Sequence, residues 1–133
     1  MKKYILAAFL FLFPSHANAE VTSAICDGLK GKGIYVNKGK VTYEENEKIS
    51  SKITFMFIYS DNKIVDNTGN EYVMLKEDGT ITGILHSRLT DNLITFYPND
   101  NIVILSKHSY WKGLSTGHLD ISAWTVQGKC EFK

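Results

Sequence analysis

Four side chains in the C-terminal third are of types used in hydrolysis: Ser106, His108, Asp120 and Ser122. A nucleophilic serine needs a base beside it and donors for the developing oxyanion. Neither Ser106 nor Ser122 lies in the Gly-x-Ser-x-Gly turn that exposes the nucleophile of many hydrolases. We therefore expect no catalytic residue, and a hydrolase that uses His108 or His118 ranks as the third hypothesis.

The same segment offers two residues that could chelate a metal. His118 and Asp120 alternate along a strand, so both side chains share one face. Zinc needs three or four ligands in a tetrahedral arrangement, and no second ligand pair stands at a defined spacing. The sequence predicts no metal site and no cofactor.

The glycine- and lysine-rich stretch 28–40 could in principle cradle a phosphate. A P-loop requires Gly-x-x-x-x-Gly-Lys followed by serine or threonine. Here Gly33 and Gly39 are separated by five residues, and Val41 follows Lys40. We interpret the stretch as flexible turns with solvated lysines around the first strand.

The segment 106–113 is the most distinctive, because it combines aromatic, cationic and polar side chains. Tyrosine and tryptophan beside cations are common at interaction surfaces. The segment runs from a predicted strand into the glycine-containing loop 112–118. We take as the candidate binding surface His108, Tyr110, Trp111, Lys112 and His118.

The first nineteen residues have the three parts of a secretory signal peptide. Lys2 and Lys3 precede an apolar run over residues 4–13, and Ala17 and Ala19 suit a cleavage site. Ten apolar residues are too few to cross a membrane, which takes about twenty. The pattern predicts cleavage after Ala19, a periplasmic or secreted protein, and no membrane anchor after cleavage.

Cleavage changes the size and charge of the working chain. Removing 19 of the 133 residues leaves 114, a single domain over residues 20–133. Loss of Lys2 and Lys3 leaves 13 basic and 14 acidic residues, a formal charge of −1. A balanced charge gives no field to attract polyanions, so we expect no nucleic-acid partner.

Cys26 and Cys130 are the only cysteines. An even pair in an exported protein is most simply a disulfide. Cysteines 104 positions apart lack the Cys-x-x-Cys spacing of redox and zinc sites. The bond would bring the two ends of the domain together.

The apolar pattern has a period of two, which indicates strands. In residues 52–59 both faces are largely apolar, which predicts a strand covered on both sides. Asp78-Gly79 is typical of a type I′ hairpin turn between residues 71–77 and 80–87. Only residues 24–29 or 44–49 could hold a helical turn. Strands are predicted near 33–37, 41–44, 52–59, 62–66, 71–77, 80–87, 91–97, 101–110 and 119–126, with a short piece near Cys130.

Short sequential strands joined by tight turns form a meander. About eight or nine strands in this length close most simply as an up-and-down, calycin-like β-barrel, which removes the exposed sheet edges. In a barrel the first and last strands are neighbours, as the disulfide requires. A two-sheet sandwich is the alternative.

Two resemblances follow from the C-terminal residues. Residues 106–110, followed by Gly128-Lys129-Cys130-Glu131, resemble small, uncharacterised exported bacterial β-proteins with one disulfide. Trp111-Lys112-Gly113 and Cys130 are similar to a segment of the periplasmic inhibitors of c-type lysozyme, which are small β-barrels. The Ser-Gly-x-x-Tyr segment of those inhibitors does not occur here, so only residues 111–113 are carried over.

These patterns predict a non-enzymatic, exported β-barrel that binds a small ligand or a protein partner. An inhibitor of a lysozyme or another cell-wall hydrolase, acting through loop 112–118, is the runner-up.

Overall fold

A computed structural model describes residues 20–112 and 119–133, except the side chains of Lys112 and Leu119. The predicted signal peptide, residues 1–19, lies outside the described residues, as does His118. No helix within the described residues is long and apolar enough to span a membrane.

The described residues form nine antiparallel strands. They are β1 (Ser23–Asn37), β2 (Lys40–Ile49), β3 (Ile53–Ile58), β4 (Lys63–Asp66), β5 (Glu71–Glu77), β6 (Thr80–His86), β7 (Thr90–Tyr97), β8 (Ile102–Lys112) and β9 (Leu119–Phe132). Two single 3₁₀ turns, Tyr59–Asp61 and Pro98–Asp100, join β3 to β4 and β7 to β8.

Eight of these strands close a barrel, which confirms the predicted architecture over the sandwich. Strands β3 to β9 pair in sequence, and β1 closes the ring by pairing with both β3 and β9. Strand β2 pairs with β1 alone and stays outside the barrel wall. Cys26 and Cys130 are opposite each other on β1 and β9 and form the predicted disulfide.

The β5–β6 hairpin follows directly from its turn residues. Asp78 and Gly79 have φ of 41° and 81°, the positive values that a type I′ turn requires. Glu77 then pairs with Thr80, and the register continues to Val73 and Ile84. The predicted hairpin is confirmed.

Three local expectations were wrong. Residues 24–29 and 44–49 are strand rather than helix. Residues 28–32, predicted as turns, belong to β1, because β2 and β9 pair with this stretch on its two sides; the strand predicted near 33–37 is confirmed. Strand β3 is covered on one face only: Phe55 and Phe57 are buried, whereas Met56 is 57% exposed.

One end of the barrel is filled with aromatic rings. Phe96 meets Phe55 and Phe57 edge-on, with ring centroids 5.0 Å apart in both pairs. Phe132 lies 6.2 Å from Phe96. Edge-to-face contacts of this kind stabilise an apolar core. We call this the closed end.

At the other end the barrel wall parts. Strand β3 pairs with β1 only over Ser23–Cys26, and β2 takes its place alongside β1 from Leu29 onward. Strands β2, β1, β9 and β8 therefore continue past the barrel as a four-stranded sheet, the extension (residues 31–47, 109–112 and 119–124). The barrel interior opens beneath it.

The inner face of the extension needs a glycine. The Cα of Gly33 is buried, and a Cβ there would lie 2.9 Å from the Tyr35 ring and 3.2 Å from the Trp124 Cβ. The missing side chain thus lets two aromatic residues pack over β1.

Candidate functional site

The predicted binding surface is divided between the two faces of β8. His108 and Tyr110 point outward, where they pair with Ala123 and Ile121 of β9. Trp111 points to the inner face of the extension and is 59% exposed. Strand alternation forces this division. The side chain of Lys112 and all of His118 lie outside the described residues.

His108 belongs to a row on the outer surface. Asp91 on β7 is its register partner, and His86 on β6 is the partner of Asp91 on the other side. The His86 imidazole contacts the Asp91 carboxylate, and all three residues line a shallow surface depression. Among the described residues, no group of three or more His, Cys, Asp or Glu is arranged to hold a metal ion.

The chain contains one Gly-x-Ser-x-Gly sequence, Gly113-Leu114-Ser115-Thr116-Gly117. Its residues lie outside the described part of the chain. In hydrolases this motif joins a strand to a helix, whereas here the elements on either side are the paired strands β8 and β9.

The open end of the barrel holds a cleft of about 330 Å³. Volumes of 300–1,000 Å³ are typical of small-molecule sites. Apolar side chains form much of its lining, including Phe55, Leu105 and Trp124. Polar side chains from four strands meet them: Asp66, Tyr72, Asn92 and Lys107.

Strand register brings three of these lining residues together. Asn92 on β7 is opposite Lys107 on β8, and Lys107 is opposite Trp124 on β9. Each alternates with buried inward residues of its own strand, such as Ile94, Leu105 and Val126. Amide, ammonium and indole groups thus stand side by side on the inner wall.

Asp66 anchors the cleft wall. Its carboxylate accepts hydrogen bonds from the Thr68 hydroxyl (2.6 Å) and backbone N–H (2.9 Å), from the Asn70 backbone N–H (3.0 Å) and side-chain amide (2.9 Å), and from the Tyr72 hydroxyl (3.0 Å). Burial raises the pKa of Asp66, but the bonds from Thr68 and Asn70 together outweigh burial and lower it. Asp66 is therefore ionised.

Tyr72 and Asn92 are the polar neighbours of Asp66 in the cleft wall. Burial, the Asp66 charge and its hydrogen bond to Asp66 raise the pKa of Tyr72, and the Asn92 amide acts in the opposite direction. The Asn92 Oδ1 atom is buried and has no hydrogen-bond partner among the residues that the structure describes. A buried acceptor without a partner costs about 1–3 kcal/mol.

Beside the cleft, the inner face of the extension carries a tyrosine–carboxylate pair. The Tyr35 hydroxyl donates to Glu47 Oε2 over 2.7 Å. That hydrogen bond, with burial and the charges of Glu47 and Glu44, raises the pKa of Tyr35 to about 12. The pair holds β1 against β2 on the side that faces the cleft.

Glu47→Gln is expected to lower the pKa of Tyr35 toward its ordinary value of 10.0. Because the folded-state pKa is raised, this hydrogen bond stabilises the fold below about pH 10 and is lost as the pH rises through about 12. An NMR titration of the tyrosine ring signals measures the shift. Glu45→Gln is the control, since Glu45 pairs with Lys32 instead. An unchanged Tyr35 pKa in Glu47→Gln would contradict the assignment.

Sequence reasoning missed the cleft residues. Lys107 directly precedes His108 of the predicted surface, yet its alternation with Val103 and Leu105 marks it as inward-facing. Asn92 stands in the same relation to Ile94 and Phe96. A polar residue that takes the next inward position after buried apolar residues of its strand indicates a residue lining the interior, and this pattern could have identified both.

Fold and site together define a small, disulfide-linked antiparallel β-barrel with one filled end and one open, part-polar end. Comparison with protein-family models, with curated proteins and with solved structures finds no match for this chain.

Proposed function

We propose that the chain is an exported, non-enzymatic binding protein that holds a small ligand in the open end of its barrel. The cleft itself carries this proposal: apolar side chains line it, and Asn92, Lys107 and Trp124 stand side by side in its wall.

Three further features support the proposal. The disulfide is typical of proteins in oxidising compartments, which agrees with the signal peptide that the sequence predicts. The cleft combines an apolar lining with a few convergent polar groups, the usual composition of a ligand site. Many of its lining residues come from strands of a closed sheet.

Native mass spectrometry of the full chain, expressed with export and purified without denaturation, tests the proposal. We expect a discrete added mass on the wild-type protein and about tenfold lower occupancy in Asn92→Leu, because this change replaces a polar side chain of the cleft wall. A tenfold change corresponds to about 1.4 kcal/mol. Lys30→Gln, an exposed change on the outer face of β1, is the matched control. An unmodified mass, together with no binding in a lipid, heme and metabolite screen, would contradict the proposal.

The second candidate is a protein-binding role, such as inhibition of a lysozyme or another cell-wall hydrolase. One observation favours it: the ends of β8 and β9 extend past β7, whose pairing with β8 stops at Ser109. Tyr110 and Trp111 are 37% and 59% exposed there. A lysozyme inhibition assay at micromolar protein decides this role, and undiminished hydrolysis would exclude lysozyme as the target.

A further inference from the structure

We infer that the inner face of the extension carries a second binding site, which takes a neutral saccharide with a flat, extended chain. The site is a furrow of about 280 Å³ that crosses strands β1, β9 and β8. None of the residues that line it lines the cleft. The inference therefore goes beyond the proposed function and does not depend on it.

Two cross-strand rows of side chains form the walls of the furrow. The first row consists of residues opposite one another on β1, β9 and β8: Tyr35, Ser122 and Ser109. The second row lies two positions further from the barrel on the same strands: Asn37, Asp120 and Trp111. The residues between the two rows point to the outer face, since side chains alternate along a strand.

An aromatic ring stands at each end of the furrow. Trp111 on β8 is 59% exposed. Tyr35 on β1 is half-buried, and its hydrogen bond to Glu47 and its contact with Gly33 fix its ring. An aromatic ring face packs well against a flat apolar surface, and the C–H face of a pyranose ring is such a surface. Two strand spacings of about 5 Å separate the rings across the sheet, which suits a short chain of sugar rings.

The furrow carries polar side chains between its aromatic ends. Ser122 and Ser109 place hydroxyl groups along one wall, and Asn37 and Asp120 place an amide and a carboxylate along the other. The Lys38 backbone N–H donates to Asp120 Oδ1 over 3.1 Å, which orients that carboxylate. Hydroxyls and amides both donate and accept hydrogen bonds, as the hydroxyl rim of a sugar requires. Stacking rings beside such groups match a ligand that is apolar on its face and polar at its edge.

The charge and shape of the furrow narrow the class of saccharide. Among the described residues, Asp120 is the one charged side chain on the lining, and its negative charge disfavours an anionic sugar. The two rows cross the strands of a sheet, so they suit an extended ligand better than a curved one. A β-1,4-linked glycan forms a flat ribbon, whereas an α-1,4-linked glycan curves.

Cellotriose and maltotriose are the paired probes, because they differ only in the linkage between their glucose units. Amide shifts of the ¹⁵N-labelled, exported full chain, titrated with each trisaccharide, measure the two affinities. We expect cellotriose to bind about tenfold more tightly, with its largest shifts at Ser109, Trp111 and Ser122. Equal or tighter binding of maltotriose, or shifts confined to other parts of the chain, would overturn the inference.

Two adjacent aromatic residues provide a matched pair of variants. Trp111→Ala removes the exposed ring of the furrow, and Tyr110→Ala removes an aromatic side chain of the same strand on the outer face. We expect Trp111→Ala to weaken cellotriose binding about tenfold and Ser122→Ala about fivefold, and Tyr110→Ala to leave it unchanged. Equal losses in Trp111→Ala and Tyr110→Ala would overturn the inference. The comparison of probes uses the wild-type protein, so it stands even if one variant unfolds.

Cosedimentation with amorphous cellulose separates the two sources of such a ligand. Pelleting of the wild type but not of Trp111→Ala shows that the furrow accepts a polymer, whereas cellotriose binding without pelleting shows that it takes free oligosaccharides. Binding of neither overturns the saccharide site. The small-ligand proposal is judged separately, by an added mass in native mass spectrometry that Asn92→Leu loses and Trp111→Ala keeps.

Discussion

Replacing both Cys26 and Cys130 with alanine is expected to lower the free energy of unfolding by about 4–5 kcal/mol. The bond closes a loop with a sequence separation of 104, and the chain-entropy model assigns a cross-link of that span about 4.7 kcal/mol. Domains of this size have about 5–15 kcal/mol in total. The loss would therefore remove between about a third and nearly all of the stability of the fold.

The barrel itself should still close in that variant. Strands β1 and β9 pair from Ala24–Phe132 to Val36–Ile121, with one irregularity after Asp27, and none of this ladder needs the covalent bond. Urea unfolding followed by circular dichroism measures the effect. Reductant should destabilise the wild type to the level of the variant and leave the variant unchanged. A loss below about 1 kcal/mol would show that strand pairing alone fixes the two ends.

The second large effect is expected at Asp66. Asp66→Ala should lower the free energy of unfolding by about 3 kcal/mol, because the buried Tyr72 hydroxyl and the donors of Thr68 and Asn70 lose their acceptor. Asp100→Ala, at an exposed turn with no ion pair among the described residues, is the control and should cost little.

The pH dependence of the free energy of unfolding should also show the contribution of Asp66. The folded-state pKa of Asp66 lies below the ordinary 3.8, so the folded chain holds this proton less tightly than the unfolded chain. The contribution of Asp66 is fully present above about pH 4 and is lost as the pH falls through its folded-state pKa. Asp66→Ala should therefore lose less stability on acidification than the wild type. Parallel pH profiles of the two proteins would contradict this role.

The hairpins were the most predictable part of the fold because their signals are local. Asp78-Gly79 fixes both the turn and the register of β5 and β6. Strand β1 was the least predictable. Its glycines and lysines have low strand preference, and only its pairing with β2 and β9 holds residues 29–33 in a strand.

The site was harder to predict than the fold for a related reason. Segment 106–113 is conspicuous in the sequence, but alternation sends His108 and Tyr110 to the outside of the sheet. The cleft depends on Asn92 and Lys107, which are unremarkable in their own strands. They become neighbours only because β7 and β8 pair in one particular register.

The register of β8 with β9 gives the two faces of the extension different side chains. On β9 the polar residues Asp120 and Ser122 share the inner face with Trp124, whereas Ile121 faces outward opposite Tyr110. The inner face, which continues from the barrel interior, is thus the more polar one.

The most direct test of the binding site is an NMR map of where small molecules bind. Backbone amide shifts of the ¹⁵N-labelled protein would be recorded against a library of soluble small-molecule fragments. The proposed site predicts that the largest shifts cluster at Asn92, Lys107 and Trp124, and that they vanish in Asn92→Leu but persist in Lys30→Gln. Shifts confined to Tyr110 and Trp111 on the extension, or no shifts from any fragment, would contradict it.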